Sequence, residues 1–217
     1  MIDCPIFVAA GLMTKVWAEG EHLRQAAITG LRRAGLEAVY RQEVMRSDAL
    51  SYGYECELKG VYARQNRPAH LLLGFDLFRT GAVEGWPAGN AALLLVGYGP
   101  KASDPWDMDD LVFGSDGRLT DPDYRASLTP MAAFGTRLLA FESEASLPMA
   151  RRSWLYAVPL GRISGPVEVD RNIVEPLMGL LARDGVRPGP LLASSAIEWP
   201  AWSAAAAVSP CYPAHAS

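Results

Sequence analysis

The sequence predicts an α+β protein: an antiparallel β-sheet packed by an N-terminal helix, followed by a second helical and loop-rich portion. Three observations carry that expectation. One segment of clear helical period comes early, four runs of strand character follow it on short turn-rich links, and beyond about residue 100 the pattern becomes irregular. A helix followed by strands on short links favours a helix layered on an antiparallel sheet over alternating βαβ units.

The chain opens with an apolar run, Ile6 to Val16, that reads as a first strand. Glu21 to Ala34 follows as a helix, because Leu23, Ala26, Ala27, Gly30, Leu31 and Ala34 recur at helical spacing on one face while Arg24, Gln25, Arg32 and Arg33 take the other. Gly35 supplies a stop signal. The small residues Ala26, Ala27 and Gly30 point to close approach against a sheet. Four strands are expected next, in EAVYRQEVM, YGYECELKGVYAR, AHLLLGFDLF and AALLLVGYG. The second alternates most cleanly, with Tyr54, Cys56 and Leu58 on one face and Glu55, Glu57 and Lys59 on the other. LTPMAAFGTRLLAFES has helical spacing through Leu128, Met131, Ala132, Gly135, Leu138 and Leu139, with strand character at its end; SWLYAVPL reads as a strand. RNIVEPLMGLLARDG reads as a helix that starts or kinks at Pro176 and stops at Gly185. The organisation is thus a helix-on-sheet portion over residues 1–100, an acidic connection over 101–127, and a second α+β portion with a Pro/Ala-rich tail over 128–217. The three together can also form one continuous domain.

With 217 residues, half of them hydrophobic and a fifth charged, the chain is long enough to bury a core and too apolar to stay disordered. A net charge of −4, with Lys and Arg scattered, argues against nucleic acid or an anionic membrane as a direct partner. Cys4, Cys56 and Cys211 form neither a disulfide framework nor a CxxC motif, and the N-terminus lacks a basic region and cleavage site, so a cytoplasmic location is expected. His22, His70 and His215 make no zinc-ligand spacing. Ser194 and Ser195 lack a nucleophile elbow, and no glycine-rich nucleotide loop is present. No catalytic residue, metal site or cofactor is therefore expected, and the chain is expected not to be an enzyme.

The most distinctive stretch is ASDPWDMDDLVFGSDGRLTDPDY, which carries Asp104, Asp107, Asp109, Asp110, Asp116, Asp121 and Asp123 against a single arginine. A calcium loop started at Asp107 puts Leu111 and Val112 where a ligand and a glycine belong, so that register fails. Trp106 amid this charge offers a large apolar anchor with a negative rim, a composition suited to steered docking on a basic surface. Asp104, Trp106, Asp107, Asp109, Asp110, Asp116, Asp121 and Asp123 are accordingly the candidate partner-binding residues. A rival reading pairs Asp76 with Glu142, Glu144 or this stretch as a carboxylate-based or metal-dependent hydrolase; a third is a secretion adaptor or chaperone.

In organisation the first half resembles immunity family 52 of bacterial polymorphic and type VI secretion toxins. The features that carry the likeness are an acidic chain of this size, the helix GEHLRQAAITGLRRAG, the strands EAVYRQEVM, YGYECELKGVYAR and AHLLLGFDLF, and the link GWPAGN. The resemblance implies a cytosolic immunity protein without catalysis that binds and neutralises a cognate antibacterial toxin, a basic nuclease effector in particular. It assigns no individual residue.

Overall fold

Strand alternation and apolar runs produce a seven-stranded sheet in which every pairing is antiparallel. The computed structural model describes residues 5–46, 51–62, 68–76, 92–99 and 128–199. Its strands are β1 (Glu37–Arg46), β2 (Ser51–Tyr62), β3 (Pro68–Asp76), β4 (Leu93–Gly99), β5 (Leu128–Pro130), β6 (Leu139–Phe141) and β7 (Trp154–Pro159). The sheet order is β1-β2-β3-β4-β7-β6-β5, so the strands from residues 1–100 and 128–217 share one sheet through the β4–β7 pairing. The α+β expectation holds.

The pleat explains which side chains are inside. Tyr54, Cys56 and Leu58 are buried, whereas Lys59 is exposed and pairs with Glu37 at 3.1 Å on the other face. One face of the sheet, with Leu71, Leu73, Phe75, Val96 and Tyr156, packs under helices. The opposite face of the central strands, with Leu93, Leu95, Leu155 and Ala157, packs against Ile197 and Trp199 from the chain that follows the last helix.

Helix α1 runs over Pro5–Arg33, so Ile6–Val16 is its first half and not a strand. The apolar residues there are consecutive, which gives no period to separate the two states, and Ala9, Ala10, Leu12 and Met13 favour helix. Its C-terminus is closed as the sequence predicts. Gly35 adopts φ 88°, its N–H bonds to the Arg32 carbonyl at 3.0 Å, and the Leu36 N–H reaches back to Leu31 at 2.8 Å. This six-to-one plus five-to-two pattern is a Schellman motif, and the buried pair Leu31 and Leu36 supplies its apolar partner contact. Among the described residues no helix is long and apolar enough to cross a membrane.

Gly30 of α1 allows close approach to a helix and not to the sheet. A methyl group on Gly30 would lie 2.7 Å from Val174 Cγ2 and 2.9 Å from Asp170 Oδ1. Those residues belong to a π-helical turn, Asp170–Val174, between α2 (Pro166–Val169) and α3 (Glu175–Leu180). The helical segment therefore begins ten residues before Pro176 and ends at Leu180, short of Gly185. Pro176 has no N–H to return to the Asn172 carbonyl four residues back. The Tyr156 hydroxyl, wholly buried in β7, donates to that carbonyl at 3.0 Å, and burial pushes its pKa well above the usual phenol value, which keeps it a donor.

The segment over 128–143 is not a helix. It forms β5, a 3-10 turn over Ala132–Phe134, and β6. Gly135 and Thr136 both take left-handed backbone angles, φ 58° and 59°, which reverse the chain and end any helix. A β-branched residue is costly there. The conformation is held by Trp199, whose backbone N–H donates to the Thr136 carbonyl at 3.1 Å and whose indole donates to the Arg137 carbonyl at 3.0 Å. Arg137 in turn donates to the Leu192 and Ser194 carbonyls at 2.6 and 3.1 Å, around α4 (Gly189–Ala193).

The Gly30 contact makes a direct prediction. Gly30→Leu must push Val174 aside and should lower unfolding free energy by about 1–3 kcal/mol. Arg33→Ala removes only the exposed ion pair to Asp170 and should cost about 0–1 kcal/mol. Denaturant titration of both variants checks this; equal losses would place the close contact elsewhere.

Candidate functional site

Two concavities flank the point where α1 meets strand β2, and Tyr52 lines both. The local sequence explains the crossing. The Tyr52 ring stacks on Phe75 of the next strand, with centroids 4.8 Å apart, and its hydroxyl donates to the Val16 carbonyl of α1 at 3.0 Å. The helical partner of that carbonyl is the N–H of Gly20, four residues on. At Gly20 a Cβ would fall 2.2 Å from the Tyr52 hydroxyl oxygen, so only glycine lets the phenol touch the helix backbone.

The larger concavity has a volume of about 690 Å³. Its floor is apolar, from Val16, Leu23, Ala26, Phe75, Leu160 and Ile163, and its rim carries Lys15, Glu19 and His22. The chain turn Ser164–Gly165–Pro166, which opens α2, closes one end. The smaller concavity, about 320 Å³, is lined by Trp17, Ala18, Glu21, Glu43, Tyr52 and Tyr54. Its rings meet edge to face: Trp17 and Tyr52 at 6.4 Å and 76°, Tyr52 and Tyr54 at 6.0 Å and 85°. Trp17 is 46% exposed, the most open of the aromatic side chains described.

Charge around the smaller concavity is organised by Arg24. Its guanidinium lies 4.5 Å from the Tyr40 ring centroid and 5.4 Å from that of Tyr54, and it pairs with Glu21 through two hydrogen bonds, one of them 2.7 Å long. The Arg24 hydrogen bond is the main reason the Glu21 carboxyl sits below its ordinary pKa. Burial pushes the Tyr54 phenol up to about 12, and raises Tyr52 further, so both hydroxyls stay neutral.

The residues singled out from sequence fare differently. Asp104, Trp106, Asp107, Asp109, Asp110, Asp116, Asp121 and Asp123 lie outside the described residues. Asp76 ends β3 opposite Leu93, while the Glu144 carboxylate accepts the Ser153 amide at 2.5 Å, in a turn after β6. Cys56 is paired with Leu71 and buried, with its thiol raised to about 11 by burial; His70 pairs with Glu57 in the register and contacts Glu55 on the other face. The two do not form a nucleophile and base. The Ser194 hydroxyl donates to Leu191 at 2.7 Å within a turn. Among the described residues, no three His, Cys, Asp or Glu side chains gather into a metal-binding group. Sequence reasoning missed Trp17, Tyr52 and Glu43. The available signals were Trp17 and Glu21 one helical turn apart, and Tyr52 and Tyr54 two apart on one strand face.

No family model, curated protein or solved structure matches the chain.

The Tyr52–Gly20 contact is open to a double-mutant test. Gly20→Ala should destabilise by about 1–3 kcal/mol through forced displacement of the ring. Combining it with Tyr52→Phe, which removes the worst overlap, should recover part of that loss in thermal or denaturant melts. Strict additivity of the two changes would show that the residues do not touch.

Proposed function

We propose that this protein acts by binding and neutralising a protein partner, in the manner of the immunity proteins its sequence resembles, and that α1 presents part of the contact surface. The observation that carries this reading is the apolar concavity of about 690 Å³ along α1, rimmed by Lys15, Glu19 and His22 and standing beside the exposed Trp17. An apolar centre with a charged rim and a large aromatic side chain nearby is the composition of a protein-binding surface. The acidic stretch from Asp104 to Asp123 adds, at the level of sequence, the charge that would steer a basic toxin such as a nuclease. In this reading the chain carries out no reaction; it occupies the partner.

The experiment is protection of bacterial growth against a candidate nuclease toxin, paired with surface binding kinetics on the purified proteins. The parent chain should protect and bind. Ile163→Asp, in the floor of the concavity, should speed dissociation while retaining a cooperative melt. Asp107→Asn, Asp109→Asn and Asp110→Asn combined should slow association, with a deficit that shrinks toward about 1 M salt. Unchanged kinetics for Ile163→Asp would remove the concavity beside α1 from the interface, and failure of the parent chain to bind any such toxin would overturn the reading.

A further inference from the structure

The smaller concavity has a chemistry distinct from the larger one. Three aromatic rings, Trp17, Tyr52 and Tyr54, stand nearly perpendicular in succession and wall a space of about 320 Å³. Two carboxylates, Glu21 and Glu43, line the same space. Ring faces are electron-rich, and cations seated among several of them beside a carboxylate are held by the ring quadrupoles and by Coulomb attraction together. A neutral apolar ligand would gain nothing from the carboxylates, and an anion would be repelled by them.

The protein's own side chains show that this patch attracts cations. Arg24 packs on Tyr40 and Tyr54 and pairs with Glu21. It does not itself line the concavity. Glu21 is thereby neutralised in part, and it also accepts from Gln25 at 2.8 Å. Glu43 pairs with no described residue, so the local balance is two carboxylates against one guanidinium, with Glu43 as the carboxylate left to a ligand.

We infer that Trp17, Tyr52, Tyr54 and Glu43 form a binding site for a weakly hydrated organic cation of the quaternary or methylated ammonium class. A plain ammonium keeps its water more tightly and gains less from ring faces. The cation can be a free small molecule or a modified lysine side chain on a protein. The site does not rest on the partner-neutralising reading, since small cations test it without any toxin.

The test is a titration followed by NMR, reading the Trp17 indole N–H, assigned by its loss in Trp17→Phe. Choline and Nα-acetyl-Nε-trimethyllysine amide are compared with 3,3-dimethyl-1-butanol, the uncharged counterpart of choline. Both cations should shift the Trp17 resonance saturably, and the alcohol should not. Tighter binding of the lysine derivative identifies a protein-borne cation, and tighter choline a free one. Glu43→Gln, an isosteric change at an exposed position, should weaken the response by about fivefold. Equal response to choline and to the alcohol would reduce the site to an apolar pocket and overturn the proposal. So would no response to either cation at about 100 mM, far above the millimolar constants expected of one small cage.

Discussion

Everything in this fold follows from the need to cover both faces of its central strands. β4 buries all seven of its residues, and in β7 the residues from Trp154 to Val158 are buried as well. A strand with two apolar faces is stable only between two layers. One layer is α1 with the helical segment Pro166–Leu180 and the turn Met149–Arg151, which form one cluster with Val96, Tyr98, Trp154, Tyr156 and Val158. The other includes Ile197 and Trp199, anchored by the Ile197 N–H on the Ala157 carbonyl at 2.9 Å.

The covering layers are fastened by side-chain contacts to backbone carbonyls. Tyr156 serves the carbonyl before Pro176, Tyr52 reaches the Val16 carbonyl at Gly20, and Trp199 with Arg137 holds the left-handed Gly135–Thr136 turn. Asn172, nearly inaccessible, ties two elements at once: its amide donates to the Glu168 carbonyl at 2.9 Å and its oxygen accepts the Ser195 N–H at 2.7 Å. The buried hydroxyl, indole and amide groups among these are thus used, which is what makes their burial tolerable. The same contacts shape the surface, because the Tyr52 ring that fastens α1 also divides the two concavities beside it.

Local sequence made part of this legible. The alternation of Tyr54, Cys56 and Leu58 and the Gly35 stop are short-range signals that appear in the structure as read; the amphipathic half of α1 does so at Ala27, Gly30 and Leu31, whereas Ala34 is exposed and Arg24 packs on Tyr40 and Tyr54. The first half of α1 was ambiguous because a continuous apolar run has no period. The 128–143 segment misled because Leu128, Met131, Leu138 and Leu139 also satisfy helical spacing, while the deciding feature, a left-handed Thr136, depends on Trp199 some sixty residues away. The site was the least legible part: Trp17, Glu43, Tyr52 and Tyr54 come together only through the register of β1 with β2 and the docking of α1, neither of which a local pattern encodes.

The central claim is that α1 is a structural layer of the sheet, fastened at Gly20 and Gly30, and not a helix resting on a finished domain. Native-state hydrogen exchange read by mass spectrometry addresses it most directly. Peptides covering residues 20–31 should exchange with the same free energy and the same denaturant dependence as peptides covering β4 and β7, because α1 belongs to the same apolar cluster as those strands and is locked to the helical segment beside it at Gly30. Exchange of residues 20–31 through a low-energy local opening, with β4 and β7 still protected, would contradict the account.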